Sequence, residues 1–140
     1  MMPTYTAVAT SSGRDGRATT SDGRLDLQLA MPKELGGNGE GTNPEQLFAV
    51  GYASCFGSAL KLVARAKGLN ADDSTITAEV TLSKNPEGQG FVLAAVLRVK
   101  LPAGLTPEQG TALVEAAHQV CPYSNATRGN MPVELVVEHA

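Results

Sequence analysis

A chain of 140 residues, 42% hydrophobic and 18% charged, has the length of a single domain, 1–140, and is not a disordered tail. At this size roughly 70% of the unfolded surface can be buried, so no disulfide staple is required. Eleven Lys plus Arg against fourteen Asp plus Glu give a net charge of −3 with no basic block, which argues against nucleic acid or a membrane surface as partner.

The first residues, Met1-Met2-Pro3-Thr4-Tyr5, have neither a basic n-region nor an apolar h-region, so a secretory signal is not expected. Thr4–Thr10 and Arg17–Ser21 read as short strands separated by the turn Gly13-Arg14-Asp15-Gly16, and Asp22-Gly23 signals a hairpin. Leu25, Leu27 and Leu29 alternate with Asp26 and Gln28, the period of a half-buried strand. The Gly-rich loop that follows, Gly36 to Gly41, lacks the Lys-Ser/Thr ending of a phosphate loop, so no nucleotide is expected there.

A helix comes next. Asn43 can cap it, Pro44 suits its first position, and Gln46 sits where a capping box places its partner. It is expected to run to about Lys67, with Gly68 as its stop. Its middle (Leu47, Phe48, Ala49, Val50, Tyr52, Ala53, Cys55, Phe56, Ala59, Leu60) is apolar on nearly every face. Such a helix is surrounded by protein, which is hard to arrange in so small a monomer, so a partner subunit is expected. The charge-free stretch Gln46 to Leu60 is 15 residues long, too short and too polar to cross a bilayer.

Ile76, Ala78, Val80 and Leu82 alternate as a strand, Asn85-Pro86-Glu87-Gly88 turns the chain, and Phe91 to Leu101 alternate as the next strand. Thr106-Pro107-Glu108-Gln109 repeats the capping pattern and starts a second helix that ends near Gln119, before Cys121-Pro122. Val133, Leu135 and Val137 give a final strand. The order βββ-α-ββ-α-β is that of an α+β fold.

Two cysteines without an export signal place the chain in the reducing cytoplasm, where a thiol pair is more often chemical than structural. Cys55 is either a small buried hydrophobe or a nucleophile. Burial alone raises a thiol pKa, and the helix start at Pro44 lies roughly 16 Å away, so a reactive Cys55 needs a cation from elsewhere. Arg14, in its Gly-flanked turn, is the candidate, with a solvated turn arginine as the alternative. Glu45 is its natural orienting partner, or else an acid that merely favours a helix start. Cys55 and Glu45 are about 15 Å apart along one straight helix, so the Glu45 nearest a given Cys55 is expected to come from the other subunit.

Cys121 lies 66 residues after Cys55, which is neither a C-x-x-C motif nor a zinc spacing. It is an idle thiol, half of a static disulfide, or a resolving thiol able to attack an oxidised Cys55. Only His118 and His139 could complete a zinc site, without the ligand spacing for one. His118 as base for Cys55 lacks a third, orienting group. Neither a metal nor a cofactor is expected.

Thr42-Asn43-Pro44-Glu45-Gln46-Leu47-Phe48, continuing through Gly51-Tyr52-Ala53-Ser54-Cys55-Phe56, closely resembles the first cysteine helix of the organic hydroperoxide resistance proteins. Val120 to Asn130 is similar to that family's second cysteine segment, and the Gly13-Arg14-Asp15-Gly16-Arg17 turn also matches. The likeness spans nearly the whole chain and separates it from the related osmotically inducible proteins. It implies the OsmC/Ohr-like fold, an intertwined homodimer with central helices wrapped by antiparallel sheets and two sites at the interface. It also implies a thiol peroxidase with Cys55 as peroxidatic thiolate, Cys121 as resolving thiol, and Arg14 with Glu45 as the activating pair. Recycling by a lipoyl-type dithiol, such as dihydrolipoamide or a lipoylated protein, is implied by the resemblance alone.

At a pKa of ~8.5 a thiol is only about 3% ionised at pH 7. Bringing it to about 6 needs roughly 3 kcal/mol of differential interaction, which an arginine held by a carboxylate in a poorly hydrated site can supply. Each buried methylene adds about 0.8 kcal/mol, so an apolar pocket would select alkyl and fatty-acid hydroperoxides over hydrogen peroxide. Leu47, Phe48, Phe56 and the Gly-rich loop are its candidate walls. The rival expectations are a sibling stress protein preferring hydrogen peroxide and a non-catalytic homodimeric binding protein.

Overall fold

The computed structural model describes residues 2–140. They divide into two compact units, one ending at Leu47 and the other spanning Phe48–Ala140.

In the first unit β1 (Ala9–Ser11), β2 (Arg17–Thr20) and β3 (Asp26–Gln28) form an antiparallel sheet in that order. The predicted first strand begins too early. β2 ends at the Asp22-Gly23 turn, where Gly23 takes a φ of 74°, so residues before Val8 have no strand to pair with. The end of the Gly-rich loop returns beside β3. The Ala30 N–H donates to the Thr42 carbonyl and the Thr42 N–H to the Gln28 carbonyl, both at 3.0 Å. A short 3-10 turn at Lys33–Leu35 lies inside that excursion. These bonds fix where α1 (Pro44–Ala66) begins.

α1 starts as its sequence dictates. The Asn43 Oδ1 accepts the Gln46 N–H at 2.9 Å. The reciprocal half of a capping box is absent, because the Gln46 Oε1 is taken by the Thr42 hydroxyl at 2.8 Å. The end is a Schellman turn: Gly68, at φ 69°, donates to the Arg65 carbonyl, and Leu69 donates to that of Ala64.

The core of the second unit is an α1 stripe, Tyr52, Phe56, Leu60 and Ala64, packed with Leu97, Val99 and Leu101 and with Leu113, Val114, Ala117 and Cys121. Its sheet comprises β4 (Thr75–Lys84), β5 (Phe91–Lys100) and β6 (Val133–Glu138), with β5 central. β4 and β5 are antiparallel and paired over their full length. β6 runs parallel to β5, which corrects the expectation of wholly antiparallel sheets. Between them the chain crosses back through α2 (Pro107–Val120) and α3 (Pro122–Thr127), and a helical crossover returns a strand in the same direction. α3 itself was not expected, since Pro122 reads as a break. Pro at the first helical position starts a new helix.

By length and composition α1 is apolar enough to cross a membrane, because its apolar run resumes beyond Lys61. In this fold its Tyr52–Ala64 stripe is built into a core, while Val50 and Leu62 remain 66% and 63% exposed.

Candidate functional site: two thiols and an arginine–glutamate pair

Arg14 and Glu45 meet within the first unit. The turn carrying Arg14 is closed by the Gly16 N–H on the Gly13 carbonyl at 3.4 Å, and Glu45 occupies the first turn of α1. The guanidinium grips the carboxylate with both arms, Nη1 to Oε2 at 3.0 Å and Nη2 to Oε1 at 2.8 Å. The Glu45 side chain is 16% exposed and that of Arg14 41%, so the carboxylate is the sheltered member and the arginine keeps an open side. Hydrogen bonding from Arg14 holds the Glu45 carboxyl below the usual range, against the opposing effect of burial. The same bonds raise the Arg14 guanidinium. The pair is therefore fully ionised at neutral pH, and the fork fixes the orientation of a long side chain.

The two cysteines meet within the second unit. Both are free, Cys55 half-buried on α1 and Cys121 fully buried at the corner between α2 and α3. Loss of hydration pushes the Cys55 thiol up, and the adjacent Cys121 sulfur pushes it further, while the Tyr123 backbone N–H pulls it down. That N–H belongs to the first turn of α3. Its pull is smaller than the push of burial, so a helix start does not make Cys55 reactive, as expected from the distance to Pro44. No cation enters this balance within the second unit, so the thiol there remains a weak acid.

Tyr123 reaches α1 because residue 51 is glycine. A Cβ at Gly51 would stand 2.5 Å from the Tyr123 hydroxyl oxygen. The ring lies 6.0 Å from that of Phe48 and 5.6 Å from that of Tyr52. His118 is occupied elsewhere, its Nδ1 2.8 Å from the Ser124 hydroxyl.

Of the expected pocket walls, Phe48 lines a cavity of about 360 Å³ with Phe91, Val92, Leu93 and Met131. Phe56 is fully buried in the core, where it presents no surface to a ligand, and Leu47 is half-buried. Gly37, Asn38 and Glu40 of the Gly-rich loop line a separate cavity of about 370 Å³ with Asp15 and Gln28. Phe48 and Cys55 are seven residues apart on one helix face, about 10 Å along the axis. Tyr52, Tyr123 and Ser124 were missed by inspection of the sequence. The one available signal was Pro122, placed to open a helix rather than only to end one.

Comparison with known proteins places these features. Residues 37–136 match the family described as OsmC-like protein. The chain is 50% identical over 136 residues to the organic hydroperoxide resistance protein of Xanthomonas axonopodis pv. citri, covering 95% of this chain and 94% of that protein. A crystal structure of an organic hydroperoxide resistance protein from Legionella pneumophila superposes with a TM-score of 0.92 at 49% identity, covering 98% and 99% of the two chains. One from Elizabethkingia anophelis superposes with a TM-score of 0.93 at 44% identity, covering both chains completely. The chain belongs to the OsmC-like protein family and, within it, to the organic hydroperoxide resistance proteins.

Proposed function

We propose that this protein is a cysteine peroxidase that reduces organic hydroperoxides to alcohols. The observation that carries this is the meeting of two free thiols distant in sequence, Cys55 half-buried and Cys121 fully buried in the core against which Cys55 packs. The Cys55 thiolate attacks the terminal oxygen of an R–O–O–H substrate. An S–O bond forms, the O–O bond breaks, and the alkoxide leaves as alcohol once protonated. Cys121 then attacks the sulfenic sulfur, an S–S bond forms, and the hydroxyl leaves as water. An external dithiol of the lipoyl type resets the pair by attack on Cys55, the more exposed sulfur, and is itself oxidised to a cyclic disulfide.

Since the thiol is pushed up within its own unit, activation falls to the Arg14–Glu45 pair. Its oriented guanidinium lowers the thiol pKa and holds the peroxide oxygens as charge develops. We assign this pair to the Cys55 of a partner chain in a homodimer. The exposed Val50 and Leu62 on α1 support such an interface. The cycle needs a reducing compartment, so the cytoplasm is its proposed location, with no nucleic acid and no membrane as partner.

The cavity beside Phe48 is the proposed seat of the alkyl chain, and it favours a fatty-acid hydroperoxide over hydrogen peroxide. Phe48→Ala is expected to lower kcat/KM for a fatty-acid hydroperoxide by ~10-fold and leave hydrogen peroxide nearly unaffected. Equal losses on both would remove the cavity from substrate selection. Titrating thiols before and after one equivalent of hydroperoxide tests the reaction itself. Both should disappear together as an intramolecular disulfide, whereas two unreacted thiols would indicate a binding protein with idle cysteines.

A further inference from the structure

A chain of hydrogen-bonded side chains runs beside the two thiols without including either. The His118 Nδ1 is 2.8 Å from the Ser124 Oγ. The Ser124 Oγ is 2.9 Å from the Tyr52 hydroxyl, which is 3.1 Å from the Thr127 Oγ1. The Thr127 hydroxyl donates to the Ser124 carbonyl at 3.3 Å. Tyr52, Ser124 and Thr127 are buried. The protons can be placed by counting. Thr127 spends its proton on a carbonyl, so it accepts from Tyr52; Tyr52 then accepts from Ser124, and Ser124 accepts from the Nδ1–H of His118. Every hydroxyl donates once and accepts once, and His118 acts as a donor.

The placement has a pattern. Tyr52 is one turn before Cys55 on α1, His118 one turn before Cys121 on α2, and Ser124 one turn after it on α3. Ser124 ties α3 to the helix bearing one thiol through Tyr52, and to the helix leading into the other through His118. Arg128 fastens the same corner from outside, donating to the His118 carbonyl and, at 2.9 Å, to the Asn125 Oδ1. Burying three hydroxyl groups beside an apolar core costs stability unless all are satisfied, and here they are satisfied by one another, by the half-buried His118 and by the α3 backbone.

We infer that the His118–Ser124–Tyr52–Thr127 chain is a positioning device for disulfide closure, holding the Cys121 corner against α1 so that its sulfur stays beside that of Cys55. It touches neither peroxide nor the reacting sulfurs. The step it governs is attack of the Cys121 thiolate on the Cys55 sulfenic acid made by an organic hydroperoxide, with the hydroxyl released as water. This rests on the proposed roles of the two cysteines, and the two steps can be timed separately.

The test uses the full chain and cumene hydroperoxide, with single-turnover peroxide consumption reporting Cys55 and loss of the second thiol reporting closure. Ser124→Ala and Tyr52→Phe each delete one hydroxyl. Both are expected to keep the first step within about 2-fold while slowing closure by ~10-fold or more, with more Cys55 sulfinic acid under excess peroxide. The Cys55–Cys121 disulfide should also become easier to reduce at equilibrium with dithiothreitol. His118→Leu should behave alike, and His118→Asn, which keeps a donor near the Nδ1 position, should restore closure. Wild-type closure in the folded variants would overturn the inference, as would equal slowing of both steps in proportion to lost thermal stability. If the wild-type chain consumes the peroxide but forms no disulfide, Cys121 is not the resolving thiol and the device has nothing to position. If it consumes none, the peroxidase assignment fails first.

Discussion

Arg14→Ala removes the one guanidinium gripped by Glu45 and leaves the Cys55 thiol with burial and Cys121 pushing it up against a single backbone N–H. Its thiolate fraction then rises only as pH climbs past the ordinary thiol range. The variant is expected to fold, to lose most hydroperoxide reduction at pH 7, and to regain rate steadily towards alkaline pH, while the wild-type profile is already flat there. A stopped-flow pH series measures this. The acid side follows from Glu45, whose folded-state value lies below its unfolded one. Stability contributed by the pair is complete above about 4.3 and is lost as pH falls through the lower folded value. Gly51 controls the packing of Tyr123 on α1. A methyl there would stand 2.5 Å from the Tyr123 oxygen and 3.0 Å from its ring, so Gly51→Ala must displace that ring from its packing against Phe48 and Tyr52. A loss of about 1–3 kcal/mol by denaturant unfolding is expected.

At the scale of elements, α2 is the clearest case of local coding. The Thr106 hydroxyl accepts the Gln109 N–H at 3.1 Å and the Gln109 side chain accepts the Thr106 N–H at 2.9 Å. Thr106→Ala should cost about 1 kcal/mol, read as a lower urea midpoint at unchanged slope. α1 was equally legible, from Asn43 to Gly68, because its caps are local. α3 was not, although its residues were in view. Six residues form a marginal helix by themselves, and this one is held by Tyr52 from a distant segment. The direction of β6 escaped for a related reason. Alternation in Val133, Leu135 and Val137 specifies a strand and its buried face, but strand direction depends on the path of the crossover.

For the whole molecule, the arrangement of subunits decides which Arg14 serves which Cys55. Arg14→Ala and Cys55→Ser chains are each expected to be inactive as homodimers. Co-expressed, they should recover activity if the arginine acts across the interface, because one site of the mixed dimer then has both residues. If the arginine acts within its own chain, no mixed site is complete and the mixture stays dead. A hydroperoxide assay on the purified mixed dimer distinguishes the two. The exposed Val50 and Leu62 on an otherwise apolar helix belong to the same question, since their burial requires a surface that the described chain does not supply there.

The amino-acid sequence alone determined the helix caps, the alternating strands, the two thiols and the chemistry to expect of them, because propensity, capping and periodicity act over a few residues. It also fixed the family, through motifs whose order survives without any knowledge of their contacts. Tertiary structure decided which groups touch. It gave Glu45 both arms of Arg14, took Phe56 out of the pocket and into the core, and made Ser124 the junction of three helices. These outcomes depend on contacts between residues far apart in sequence, where burial and hydrogen-bond geometry, rather than local preference, set the energy.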